Sequence, residues 1–209
     1  MTRRLFVLVL AVLVLWPLAG GRPPVAAPTV GDVASAGLAG RLLVATERMG
    51  DPRFARTVIF MALHDADGAL GLVVNRPIGD ITFKALFEEL RLDPAPAEGS
   101  GTLRAFYGGP VDPARGFVLH SRDVMLDESL VAGELAVTTE PAMLRALAEH
   151  AGPERSLFAL GYAGWGAGQL ESEMARGDWI VVPADSALVF ADDPATTWAR
   201  AIARRAIEL

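Results

Sequence analysis

From residue 37 onward, short apolar runs alternate with stretches in which apolar positions recur every three or four residues. RLLVAT (41–46), TVIFMAL (57–63) and LGLVVN (70–75) are of the first kind. Each is short, rich in β-branched residues and bounded by Gly, Pro or Asp, which predicts strands. The last two are joined by HDADGA, where Asp67-Gly68 supplies the positive φ of a tight turn, so a hairpin is predicted. ITFKALFEEL (81–90) has apolar residues at 83, 86, 87 and 90, one face of an amphipathic helix. RLDPAPAEGSG (91–101) lacks periodicity, carries two prolines and two glycines, and reads as a surface loop.

LRAFYGG and GFVLHS predict two further strands around a Gly108-Gly109-Pro110 turn, with another near 134–138. Thr139 or Glu140 then opens a helix, with Pro141 in its first turn and Gly152 just past its end. SLFALGYAG (156–164) reads as a buried strand, AGQLESEMARG (167–177) as a short helix closed by Gly177, and DWIVVP (178–183) and ALVF (187–190) as strands. Asp193 caps a final helix whose first position is Pro194. Strands and helices are interleaved, but the early strands pair as a hairpin. A mixed sheet in a single α/β (α+β) domain is therefore expected, rather than a doubly wound parallel sheet.

The first 36 residues have a different pattern. Arg3 and Arg4 precede an uninterrupted apolar run over 5–16, which Pro17, Gly20 and Gly21 end. That is the length of a signal-peptide core and short of the roughly 20 residues of a membrane span. Ala34-Ser35-Ala36 offers a small-x-small cleavage site, and Leu18-Ala19-Gly20 a nearer, poorer one. The expectation is a signal peptide or N-terminal membrane anchor over 1–36, with a possible tether through residues 5–16, and a folded domain over 37–209. Localisation in the periplasm or at the membrane follows. Pro17, Pro23, Pro24 and Pro28 argue against a buried helix of the domain.

Composition narrows the partners. Of the 209 residues 52% are apolar and 21% charged, enough to bury a core and unlike a disordered chain. The net charge is −6, and cleavage after Ala36 removes three arginines and one aspartate, which deepens it to −8. Direct nucleic-acid binding requires a basic face, and only Arg200, Arg204 and Arg205 near the chain end offer a small one. With no cysteine, disulfides, thiol chemistry and thiolate metal sites are excluded.

GYAGWGAGQLESEM (161–174) is the densest glycine stretch. The dinucleotide fingerprint fails because its third glycine falls on Gln169, and a Walker loop fails for want of Lys-Ser/Thr. Two readings stay open. Backbone N–H groups from Gly166 to Gln169 hold an anion, with Trp165 as a lid or stacking surface; or the glycines only turn the chain from strand to helix, with Trp165 in the core.

At this stretch the chain resembles the YqgE/AlgH family of bacterial proteins. GRLLVATERMGDPRFARTV (40–58), GALGLVVNRP (68–77), FYGGPV (106–111) and GFVLHS (116–121) are similar to its successive motifs, in its order, and the match runs over residues 38–209. The resemblance implies one compact domain with a mixed, partly barrel-like sheet flanked by helices. It brings no assigned reaction, and for some members the label of transcriptional regulator. Glu47 stands where that pattern has a proline, and the leader departs from a family otherwise thought cytosolic.

The motif residues able to do chemistry are Asp51, Arg56, His64, Asn75, Arg76, His120, Ser121, Gln169 and Glu171. Asp51 before Pro52 suits a turn. Arg76, at a strand end, offers a bidentate fork for a carboxylate or phosphate, or an internal ion pair with Asp51 or Glu171. Ser121 lacks a nucleophile elbow, which argues against a hydrolytic triad with His120 and Asp51. The histidines at 64, 120 and 150 have no metal-ligand spacing, and no cofactor or metal is predicted. The residues expected to bind a ligand are Asp51, Arg56, Asn75, Arg76, Gly108, Gly109, His120, Gly164, Trp165, Gly166 and Gln169. The favoured function is a non-enzymatic regulatory module holding a small anionic ligand or a partner protein in a groove built from these segments. The alternatives are a hydrolase or isomerase using Asp51 or His120 in that groove, and a DNA-binding regulator, which the acidic charge disfavours.

Overall fold

The computed structural model describes residues 37–92 and 101–205. The leader expected over 1–36, most of the loop expected over 91–101 and residues 206–209 lie outside the described residues. Among the described residues no helix is long and apolar enough to cross a membrane.

Strands β1 (Arg41–Ala45) and β2 (Val58–Asp65) show how the sheet is covered on both faces. Leu42, Val44, Val58, Phe60 and Ala62 enter one core cluster, whereas Leu43, Ala45, Ile59 and Met61 enter another. Alternate side chains of a strand point to opposite faces, so a run buried on both sides reads as continuously apolar. β2 turns into β3 (Gly68–Val73) as the expected hairpin, with Asp65 opposite Gly68 and the Asp65 carboxylate accepting the Asp67 N–H at 2.9 Å.

The next element was not legible in the sequence. β4 (Pro77–Thr82) is a strand exposed along nearly all its length, with no apolar alternation to announce it. It displaces the start of the helix expected at 81: α1 (Phe83–Glu89) begins after Thr82, whose hydroxyl accepts the Ala85 N–H. β4 pairs with β5 (Thr102–Tyr107). β6 (Val111–Ser121), the short β7 (Leu130–Ala132), β8 (Leu135–Thr138) and α2 (Pro141–Ala148) follow. The chain continues as β9 (Ser156–Gly166), α3 (Gln169–Ala175), β10 (Trp179–Pro183), α4 (Ser186–Val189) and α5 (Pro194–Arg205). The strand expected at 187–190 is thus a helical turn. Asp185 caps it by accepting the Ala187 N–H at 2.6 Å, and a four-residue apolar run holds too little periodicity to separate the two states.

The domain is α+β, and its described residues form one ten-stranded sheet ordered β10-β1-β2-β3-β9-β6-β8-β7 with a β4-β5 branch on β9. All pairings are antiparallel except β5 with β9. The sheet curls into a half-barrel: β7, at one end of the order, meets β2 near the other. There Gly40 packs on the β7–β8 turn, where a Cβ would lie 2.8 Å from the Gly133 nitrogen. The main core fills the curl and runs on under α4 and α5, while α3 covers one outer cluster and α1 with α2 another.

β9 is the pivot. Up to Leu160 it lies between β5 and β6, whereas Ala163 to Gly166 pair with β3. The change of partner falls at Gly161, with φ +71°. Gly109 crosses directly over it: a Cβ there would sit 2.0 Å from the Tyr162 carbonyl carbon. Only glycine permits two backbones to pass this closely.

Candidate functional site

The loop after β1 is shaped by its own polar groups. The Asp51 carboxylate accepts the Arg53 N–H at 2.9 Å and pairs with the Arg53 guanidinium at 2.7 Å. The hydrogen bonds from that guanidinium hold the Asp51 carboxyl below the usual carboxylate range. From behind, the Arg76 fork donates to the carbonyls of Arg53 and Ala55. Asn75 accepts the Val58 N–H and donates to the Arg56 carbonyl, each at 2.9 Å. Arg56 has φ +55°, and its guanidinium lies over the Trp198 ring.

Across from this loop, α3 is tied to the sheet by one carboxylate. Glu173 Oε2 accepts both indole N–H groups, from Trp165 at 2.9 Å and Trp179 at 2.8 Å, and Oε1 accepts the Gln169 amide at 2.9 Å. Gln169 in turn accepts the Gly166 N–H at 3.2 Å. The two indoles meet edge to face, and Phe54 from the loop packs against both rings. Trp165 is buried, so its position is that of a core residue whose edge reaches the surface.

Between the 48–54 loop and the 164–178 segment lies a cleft of about 490 Å³. It is lined by four of the expected residues, Asp51, Gly164, Trp165 and Gln169, together with Arg48, Met49, Arg53, Phe54, Val111, Glu173, Arg176 and Asp178. The other expected residues do not line it. Arg56, Asn75 and Arg76 brace the loop from behind, and the Arg76 fork is spent on backbone carbonyls rather than on an ion pair with Asp51 or Glu171. Gly108 and Gly109 form the strand crossing beside the lining residues Pro110 and Val111. Gly166 is exposed, and a Cβ there would meet nothing within 4 Å.

His120 is fully buried on β6, opposite Ala136 and Ser156. Its Nδ1 bonds the Ser121 carbonyl at 2.8 Å and its Nε2 has no partner among the described residues. The Ser121 hydroxyl donates to Asp123 and accepts the Arg155 N–H, so the neighbouring His and Ser do not form a base–nucleophile pair. His64 stands at the end of β2: its Nδ1 accepts the Leu38 N–H at 3.0 Å, which leaves Nε2 to donate to Glu171 at 2.8 Å.

Two of the cleft's three guanidiniums are paired inside it, and its Glu173 carboxylate accepts neutral donors only. Arg53 is paired with Asp51, Arg176 with Asp178 at 3.0 Å, and Glu173 is filled by its three donors. Arg48 is the exception: its exposed guanidinium lies against Gly177 and has no acidic or carbonyl partner among the described residues. Sequence reasoning missed Arg48, Phe54 and Glu173. A signal for the last existed, because Gln169 and Glu173 stand at the i, i+4 spacing that brings side chains together on one helix face.

A family model described as AlgH-like matches residues 42–209. A UPF0301 protein of Cereibacter sphaeroides is 45% identical over 163 residues, covering 77% of this chain and 88% of that protein. A UPF0301 protein of Rhodospirillum rubrum is 46% identical over 154 residues, covering 73% and 79%. The solution structure of the AlgH protein from Pseudomonas aeruginosa superposes with a TM-score of 0.71 at 41% identity, over 81% of this chain and 89% of that one. A crystal structure from Corynebacterium diphtheriae shares the fold, with a TM-score of 0.61 at 23% identity, over 79% and 86%.

Proposed function

The chain belongs to the AlgH-like family, and from that premise we propose that it is a non-enzymatic binding module whose cleft between the 48–54 loop and α3 takes an anionic group. One observation carries the reading: Arg48 has no acidic partner among the described residues at an aromatic-walled cleft whose other two guanidiniums, Arg53 and Arg176, are already paired. Binding pockets combine apolar walls with a few placed polar groups, and a free guanidinium is suited to a carboxylate or phosphate. Against acid–base chemistry stand the engagements of the carboxylates. Asp51 is kept ionised by Arg53, Glu173 is filled by its donors, and His120 does not line the cleft.

The test is thermal melting of the wild type and Arg48→Gln against a panel of mono- and dicarboxylates and organic phosphates. At least one anion raises the wild-type melting temperature and leaves the variant unmoved. A panel without effect on the wild type defeats the reading. The proposed place of action is the periplasm or membrane, resting on Arg3, Arg4 and the apolar run at 5–16. Recovery of a C-terminally tagged full-length chain in the soluble cytosol would remove that part.

A further inference from the structure

Strand β9 has an open edge inside the cleft. Between Ala163 and Gly166 it is paired with β3 on one side. On the other side β6 begins at Val111, opposite Tyr162, and no described strand continues the ladder beyond that pair. Which groups are free follows from the pairing. A Cβ on Gly68 would lie 2.2 Å from the Trp165 carbonyl oxygen, so Trp165 turns its C=O toward β3, and since neighbouring residues of a strand address opposite edges, the N–H and C=O of Gly164 face the β6 side. Residues two apart in a strand address the same edge, so Gly164 and Gly166 turn theirs the same way. The Gly166 N–H agrees, because it donates to the Gln169 side chain and not to β3. Gly166 is thereby capped. Gly164, exposed and lining the cleft, keeps its N–H and C=O unpaired among the described residues.

We infer that the occupant of the cleft is an extended peptide segment of a partner protein, added beside β9 at Gly164 by main-chain hydrogen bonds and presenting a carboxylate to Arg48. This rests on the cleft being the binding site. Strand addition to an exposed edge supplies affinity through the backbone and specificity through pockets for alternate side chains. Phe54, Met49 and exposed Val111 offer apolar contact to one face of the peptide, and Arg48 supplies the complementary charge. A small anion satisfies Arg48 alone and leaves the Gly164 edge open.

The test uses the full chain. Randomised hexapeptides displayed on phage are selected against it and enriched ones synthesised, while acetate and inorganic phosphate are titrated separately. Enriched peptides are expected to carry an acidic position and to bind Arg48→Gln at least tenfold more weakly. Gly164→Pro, which removes the N–H, abolishes their binding, and Gly164→Ala, which keeps it, retains measurable binding. Amide exchange at Gly164 of the wild type slows at least tenfold in the complex, a readout that stands even where the proline variant fails to fold. Enrichment without acidic residues, or unchanged Gly164 exchange in the complex, overturns the inference. So does a Gly164 amide already protected in the free chain, since the chain itself then covers the edge. Arg48-dependent binding of acetate or phosphate without any peptide binding overturns the peptide inference and leaves the anion site standing. No binding of any probe removes both.

Discussion

Asn75 holds Arg56 in a left-handed conformation: its side-chain amide donates to the Arg56 carbonyl at 2.9 Å, at φ +55°, while its oxygen accepts the Val58 N–H. A non-glycine residue there costs about 1 kcal/mol or more and persists only where the surroundings over-determine it. Asn75→Ala removes both bonds and is expected to lower stability by about 2–3 kcal/mol in urea denaturation. Because the same loop carries Arg48 and Phe54, Arg48-dependent binding should weaken with it, even at temperatures where the variant is fully folded.

The glycines divide into two kinds by what a side chain would meet. Gly109→Ala drives a Cβ into the Tyr162 backbone, which cannot move without breaking β9. It is expected to cost about 3 kcal/mol or more, or to prevent folding. Gly166→Ala, with open space around it, should stay within about 0.5 kcal/mol of wild type. Thermal melting of the pair checks both, and equal melting temperatures would refute the assignment.

Glu173 is the acceptor for two indoles at once. Glu173→Ala leaves both N–H groups without it, at an expected cost of about 2–4 kcal/mol. Since Trp165 and Trp179 are the groups disturbed, the native-state tryptophan emission should shift as well. A variant with wild-type emission and stability contradicts the bridging role.

Asp185 caps α4 and pairs with Arg204 of α5, and that guanidinium, with the Ala187 N–H, holds its carboxyl below the usual range. A depressed carboxylate stabilises the fold above its unfolded pKa of about 3.9 and loses that contribution as pH falls through the lower folded value. The stability gap between wild type and Asp185→Ala is expected to be about 1–2 kcal/mol, cap included, and flat above pH 5. Below pH 4 it should shrink. Denaturation curves at pH 7, 5, 4 and 3 measure it, and a gap that widens on acidification gives the wrong sign.

Where burial is two-sided or strictly periodic, the sequence alone determined the element. The 41–46 and 57–63 runs read as strands through their short length, β-branched content and flanking breakers, the Asp67-Gly68 pair closed a hairpin, and Pro141 and Pro194 marked the helix starts, because these signals depend on neighbours within a few residues. Family membership was legible for the same reason, in motifs that lie along the chain. β4 was not, since a strand exposed along nearly its whole length leaves no hydropathy trace, nor was the turn at 187–190, settled by the Asp185 cap. For the site, residue type marked Arg76 and Asn75 as chemistry, but only the tertiary structure decided that their hydrogen bonds run to the loop behind the cleft. It likewise left Arg48 as the cleft's cation without an acidic or carbonyl partner among the described residues. A guanidinium's role is set by which oxygens surround it, and in this protein those of the 53–55 loop reach Arg76 across more than twenty residues of chain.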